Sequence, residues 1–130
     1  MQTNGNAAAA RGYEAFNTAD VATLMEVFDE RASWHTPGRG PLAGDHEGRD
    51  ATFAQFGRYL GGANGTFAAT LERVLESEDG RVVGIDRNTA EREGKRLDVL
   101  CSIVFELEDG RTVDGHEHFF DLYAWDEFWS

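Results

Sequence analysis

Apolar positions in the first sixty residues recur at helical spacing. Ala9, Tyr13 and Phe16 lie at i, i+4 and i+7 and predict a first helix, which Asn17-Thr18-Ala19-Asp20 interrupts. Val21, Leu24, Val27 and Phe28 form a second, shorter stripe that Asp20 or Thr18 can cap. Residues 31–36 read as a short strand. Six Gly or Pro within the thirteen residues 37–49 then predict a loop. Phe53, Phe56 and Leu60 mark a third helix, which Asp50 is expected to cap and the Gly-rich residues 61–65 to end.

The second half changes period. Four extended runs, near 66–78, 81–92, 95–108 and 111–123, are separated by Asp79-Gly80, Glu93-Gly94 and Asp109-Gly110. Such pairs tolerate the positive φ of tight hairpin turns, so the runs predict an antiparallel meander. Helices followed by a meander make the class α+β. Leu97, Val99, Cys101, Ile103 and Phe105 share one face of the third run, while Leu100 and Val104 take the other. A strand apolar on both faces needs cover on both. The helices are expected over one face and a second copy of the chain over the convex face, giving a homodimer; a strand wrapped only by its own chain is the alternative.

Composition narrows the function classes. A length of 130 residues, 41% of them hydrophobic and including nine Phe and three Trp, suits one packed domain over 1–130 with its core at 8–129. Twelve basic against 24 acidic residues leave a net charge of −12, and the basic residues, Lys95 and scattered Arg, never cluster. Nucleic acid and anionic membranes are therefore not expected partners. No apolar run reaches the roughly 20 residues of a membrane span. Residues 1–10 lack the charged start and apolar stretch of a secretory leader, so a cytoplasmic location is expected. The single cysteine, Cys101, excludes an intrachain disulfide and reads as a buried structural thiol.

Local sequences add a resemblance. The segment from Tyr13 to Asp20, Tyr-Glu-Ala-Phe-Asn-Thr-Ala-Asp, resembles the first helix and turn of the nuclear transport factor 2-like superfamily. Trp34-His35-Thr36-Pro37-Gly38, Pro41-Leu42-Ala43-Gly44, Gly48-Arg49-Asp50 and the ending from Tyr123 to Trp129 resemble its SnoaL-like, ketosteroid-isomerase-like bacterial branch. The likeness runs from about Arg11 to Trp129. It implies a cone-shaped, cystatin-like fold with three N-terminal helices on a strongly curved, mainly antiparallel sheet. Function varies widely within that superfamily. The ketosteroid isomerase base falls on Thr36, its helix tyrosine on Gly12 with Tyr13 one step off, and its partner acid on Ser102 or Ile103, so steroid isomerase activity is not expected. The Asp–Arg–Asp trio of limonene-type epoxide hydrolases finds Glu117 on the last strand and, within Ile85-Asp86-Arg87-Asn88, an Arg one step out of place. The resemblance to SnoaL-type cyclases implies an acid/base carboxyl on the last strand, which is Glu117, with Asp121 in reserve.

Strand parity puts Val113, Gly115, Glu117, Phe119, Asp121 and Tyr123 on one face, expected to look into the cone, where burial raises a carboxyl's pKa toward neutrality. A salt bridge from Glu117 to Arg87, or a bulge at Gly115 turning it outward, is the alternative. Trp34 and Thr36 share a face as pocket wall or plain core, and His35 takes the other, as a proton relay if twisted inward or a loop tether otherwise. His116 and His118 point one way, opposite Glu117, and no third metal ligand is evident, so no metal and no cofactor are expected. Tyr13 and Tyr59 are candidates for the cavity mouth. The expected function is acid/base chemistry on a small, mostly apolar molecule: cyclisation, isomerisation or epoxide hydration. Glu117, Asp121 and His35 are the catalytic candidates, with Trp34, Thr36, Phe53, Phe56, Arg87, Phe119 and Tyr13 as substrate contacts. The rival is a non-catalytic binding or interaction module.

Overall fold

The computed structural model describes residues 4–130; the first three residues, part of the segment tested above for a leader, lie outside it. Four helices pack on one six-stranded curved sheet. In chain order these are α1 (Asn4–Asn17), α2 (Val21–Val27), β1 (Phe28–Thr36), β2 (Gly44–His46), α3 (Arg49–Gly62), β3 (Ala68–Glu76), β4 (Val82–Arg92), β5 (Lys95–Glu108), β6 (Arg111–Phe119) and α4 (Leu122–Trp129). The strand order is β2-β1-β6-β5-β4-β3, with only β1 and β6 parallel. No helix among the described residues is long and apolar enough to cross a membrane.

Asp20 caps α2 as expected, its carboxylate accepting the Thr23 N–H at 3.2 Å and the Thr23 hydroxyl at 2.7 Å. Helix α3 starts earlier than expected. Gly48, at φ +90°, is its N-cap, and Asp50 sits in the first turn. The Gly/Pro loop contains β2, which pairs with the end of β1. The largest departure is at the C-terminus, where the last extended run stops at Phe119 and a fourth helix follows. Asp121 caps that helix by accepting the Ala124 N–H at 3.1 Å. Trp125, Phe128 and Trp129 form its buried stripe. Asp126, on the same helix, accepts the N–H groups of Arg39 (3.1 Å) and Gly40 (3.3 Å) and so pins the loop after β1.

Two hairpins decide which side chains face inward. Glu93 and Gly94 both have positive φ, as do Asp109 and Gly110, which fits two-residue turns. The first turn pairs Arg92 with Lys95, and that register runs unbroken until Asp86 stands opposite Cys101. The second pairs Glu108 with Arg111, but the register shifts by one residue between Glu106 and Leu107. Val113 is the extra residue of this bulge, and beyond it Glu117 stands opposite the inward Ile103. Without the bulge Glu117 would pair with Ser102 and point outward. The bulge therefore turns Glu117 inward, and Val113 leaves the inner set to Thr112 and Gly115.

The core lies between the concave face and the helices. Trp34 meets Phe56 edge-on at 4.9 Å, and Phe16, Phe28 and Phe67 extend the aromatic cluster. Leu97, Val99, Cys101, Ile103 and Phe105 are all buried. Leu100 and Val104, on the opposite face of β5, are half-buried.

Candidate active site

A cavity opens between α1, α3 and the concave face of the sheet. Its walls are largely aromatic and aliphatic, with Tyr13 and Phe16 from α1, Trp34 from β1 and Phe56 from α3. Two strand glycines make the room. A Cβ at Gly115 would come within 2.3 Å of the Trp34 ring, and one at Gly84 within 2.6 Å of the Tyr13 hydroxyl. Both aromatic side chains lie directly on bare backbone.

Two carboxyl groups face this space, Glu117 from β6 and Asp86 from β4. None of the described residues lining it carries a positive charge. Glu117 is 5% exposed and Asp86 1% exposed. One oxygen of Glu117, Oε1, accepts the Tyr59 hydroxyl at 2.6 Å and the Thr36 hydroxyl at 2.7 Å. Gln55 supports both donors, its Nε2 donating to Thr36 Oγ1 at 3.2 Å and to the Tyr59 oxygen at 3.1 Å. Burial pushes the Glu117 pKa up to about 7, against the pull of Tyr59, Thr36 and the neighbouring Trp34 indole.

Asp86 has fewer partners. Asn88 donates to its Oδ1 at 2.9 Å, while Oδ2 has no hydrogen-bond partner. Burial pushes its pKa up to about 7, opposed by the nearby Tyr13 phenol and reinforced by the negative charge of Glu117. The buried Tyr13 hydroxyl and Trp34 Nε1 lean toward Asp86 and Glu117 without forming a well-aligned hydrogen bond to either. Asp86 Oδ2, the Tyr13 hydroxyl and Trp34 Nε1 are the polar atoms that a polar-edged ligand would complete in this mostly apolar chamber.

The match to the SnoaL-like domain model spans residues 9–115. This chain belongs to the SnoaL-like family. An uncharacterised protein of Mycobacterium tuberculosis is 35% identical over 120 residues, 92% of each chain. Among solved structures, Bal32a from a soil-derived mobile gene cassette is 65% identical with a TM-score of 0.96, covering 98% of this chain and 97% of its own. A protein of unknown function with a cystatin-like fold from Xanthomonas campestris is 26% identical, at a TM-score of 0.90 and coverages of 98% and 99%. A putative SnoaL-like polyketide cyclase from Jannaschia is 19% identical, with a TM-score of 0.79 over 100% of this chain and 94% of its own, and shares the fold.

Within this SnoaL-like site the expected residues divide sharply. Glu117, Trp34, Phe56 and Tyr13 line the cavity, and Thr36 reaches it through its bond to Glu117. Asp121 does not, because the strand ends two residues earlier and its carboxylate is spent on capping α4. His35 is on the outer face of the sheet, bonded to Asp45 and Asp114. Arg87 also points outward, paired with Glu72 at 3.2 Å and Asp98 at 2.7 Å. The Asp–Arg–Asp arrangement of epoxide hydrolases therefore has no Arg in this cavity. Phe53 backs the wall against Phe28 and Phe56 rather than lining it. Phe119 stacks on Trp125 at 3.8 Å, away from the cavity. Cys101 is fully buried, and burial raises its thiol pKa far above the ordinary range, as befits an inert core thiol.

Asp86 is the residue missed by reading the sequence. Its signal lies in the Glu93-Gly94 turn, whose register sets it opposite Cys101, a residue that reads as a buried thiol.

Proposed function

We propose that this chain is an acid/base catalyst acting on a neutral, mostly apolar molecule carrying a carbonyl or phenolic oxygen. The observation that carries this is the pair of buried carboxyls, Glu117 and Asp86, in an apolar cavity without a cationic partner. Glu117 acts as the base. Two hydroxyl donors converge on one of its oxygens, which favours the ionised form. Its charge in turn favours retention of the proton on Asp86, which acts as the acid.

Strand spacing places the two Cα atoms roughly 12 Å apart, with β5 between them, so the carboxyls address different atoms of a ligand. Glu117 would remove a proton from carbon beside a carbonyl while Asp86 and the Tyr13 phenol support the oxygen that gains charge. Enolisation of this kind serves both ring closure and double-bond isomerisation. The fold is shared with a putative polyketide cyclase and with a protein crystallised with polyporic acid, and an oxygenated ring compound is consistent with it.

The test is a thermal-shift panel of polyketide-like phenols, steroids, epoxides and fatty acids, followed by mass spectrometry of any ligand that binds. A ligand at about 100 times its Kd adds about 2.7 kcal/mol of stability. That is a rise of several degrees for a domain of this size. The proposal expects conversion of an oxygenated ring compound, slowed about 10²- to 10⁴-fold in Glu117→Gln. Tight binding with every ligand recovered unchanged would instead establish a non-catalytic carrier.

A further inference from the structure

The outer face of the sheet carries a second cluster, independent of the cavity. The parallel register of β1 and β6 sets His35 opposite His116, and the antiparallel register of β1 and β2 sets Asp45 opposite His35. The two imidazole rings stack at 4.0 Å with 13° between their planes. Asp114, two residues before His116 and on the same face, reaches both. Its Oδ1 lies 2.7 Å from His35 Nε2 and its Oδ2 2.9 Å from His116 Nε2. On the far side of His35, Nδ1 lies 2.6 Å from Asp45.

We infer that His35, Asp114 and His116 form a binding site for a borderline divalent cation, zinc being the representative ion. Three facts carry this. The ligand set is two imidazoles and one carboxylate, the donor types that zinc takes with three protein ligands and an open position. Their donor atoms already lie within 4.8 Å of one another, against roughly 3.4 Å for adjacent ligands on a tetrahedral zinc. Asp45 holds the remote nitrogen of His35 and so aims Nε2 at the site, the carboxylate–histidine arrangement that orients metal ligands.

The site is reachable: Asp114 and His35 are partly buried, and the His116 side chain is 49% exposed. An ion there would tie β1 to β6 directly and hold β2 through Asp45. His118 stands two residues further along β6, with its ring centroid 6.4 Å from that of His116, and is not among the three residues whose donor atoms converge.

Isothermal titration of the untagged, chelator-treated chain with zinc chloride tests the site, in a buffer that does not bind zinc. The expected result is one ion per chain and a higher Tm with zinc present. Asp114→Asn and His116→Gln should each weaken binding by at least about 10- to 100-fold, the cost of losing merely a supporting partner of a ligand. His118→Ala should leave it within about twofold, since His118 is no ligand. Circular dichroism confirms that each variant is folded. Absence of zinc binding to wild type, or unchanged affinity in folded His116→Gln, would overturn the site.

Discussion

Gly115 lies face to face with Trp34, so closely that a Cβ at position 115 would come within 2.3 Å of the indole. The ring is buried, and it also meets Phe56 edge-on at 4.9 Å. It has nowhere to retreat except into the cavity. Gly115→Ala should therefore destabilise the fold by about 1–3 kcal/mol and narrow the cavity. Thermal denaturation measures the first effect. Loss of ligand shifts in the thermal panel measures the second.

Tyr59 donates to Glu117 at 2.6 Å and stabilises its charged form. Tyr59→Phe removes that donor while keeping the ring that packs on Phe67 and Trp125. The Glu117 pKa should rise from about 7, and the limb of a pH–rate profile that reports an ionised base should move to higher pH. A profile unmoved by the substitution would separate Tyr59 from the base.

The two inward carboxyls also tie stability to pH. Glu117 and Asp86 are raised to about 7 in the folded chain from 4.5 and 3.8. A raised folded pKa means that the native state binds protons more tightly than the unfolded one. Stability is then greatest below about pH 4 as far as these groups are concerned, and falls as pH rises through 7. The Glu117 contribution is on the order of 3 kcal/mol. Glu117→Gln should flatten the decline, gaining Tm relative to wild type at pH 8 but not at pH 4. Melting curves of both proteins across that range check the sign.

Much of this was legible in the chain. Helical spacing located α1 to α3, and the Asp-Gly and Glu-Gly turns located the meander, because both signals depend on neighbours close in sequence. The placement of Glu117 was reached from parity, but its physical cause is the bulge at Val113, which no local pattern marks. Asp121 was lost for a related reason. Parity extrapolated past Phe119 does not see that an Asp three residues before Ala124 can stop the strand and cap a helix. Arg87 and Asp86 exchange faces when read one step apart, and only the hairpin register resolves them. The partnership of His35 with His116 spans 81 positions and depends on a parallel pairing between the first and last long strands, so spacing alone led to His118 instead.

The most direct measurement is a carbon-13 titration of side-chain carboxyls in Asp- and Glu-labelled protein. Two carboxyls should titrate near pH 7, one absent in Glu117→Gln and the other in Asp86→Asn. If every carboxyl titrated below about pH 5, as unperturbed Asp and Glu do, the cavity would hold no group poised to exchange protons at neutral pH. The acid/base assignment would then be wrong.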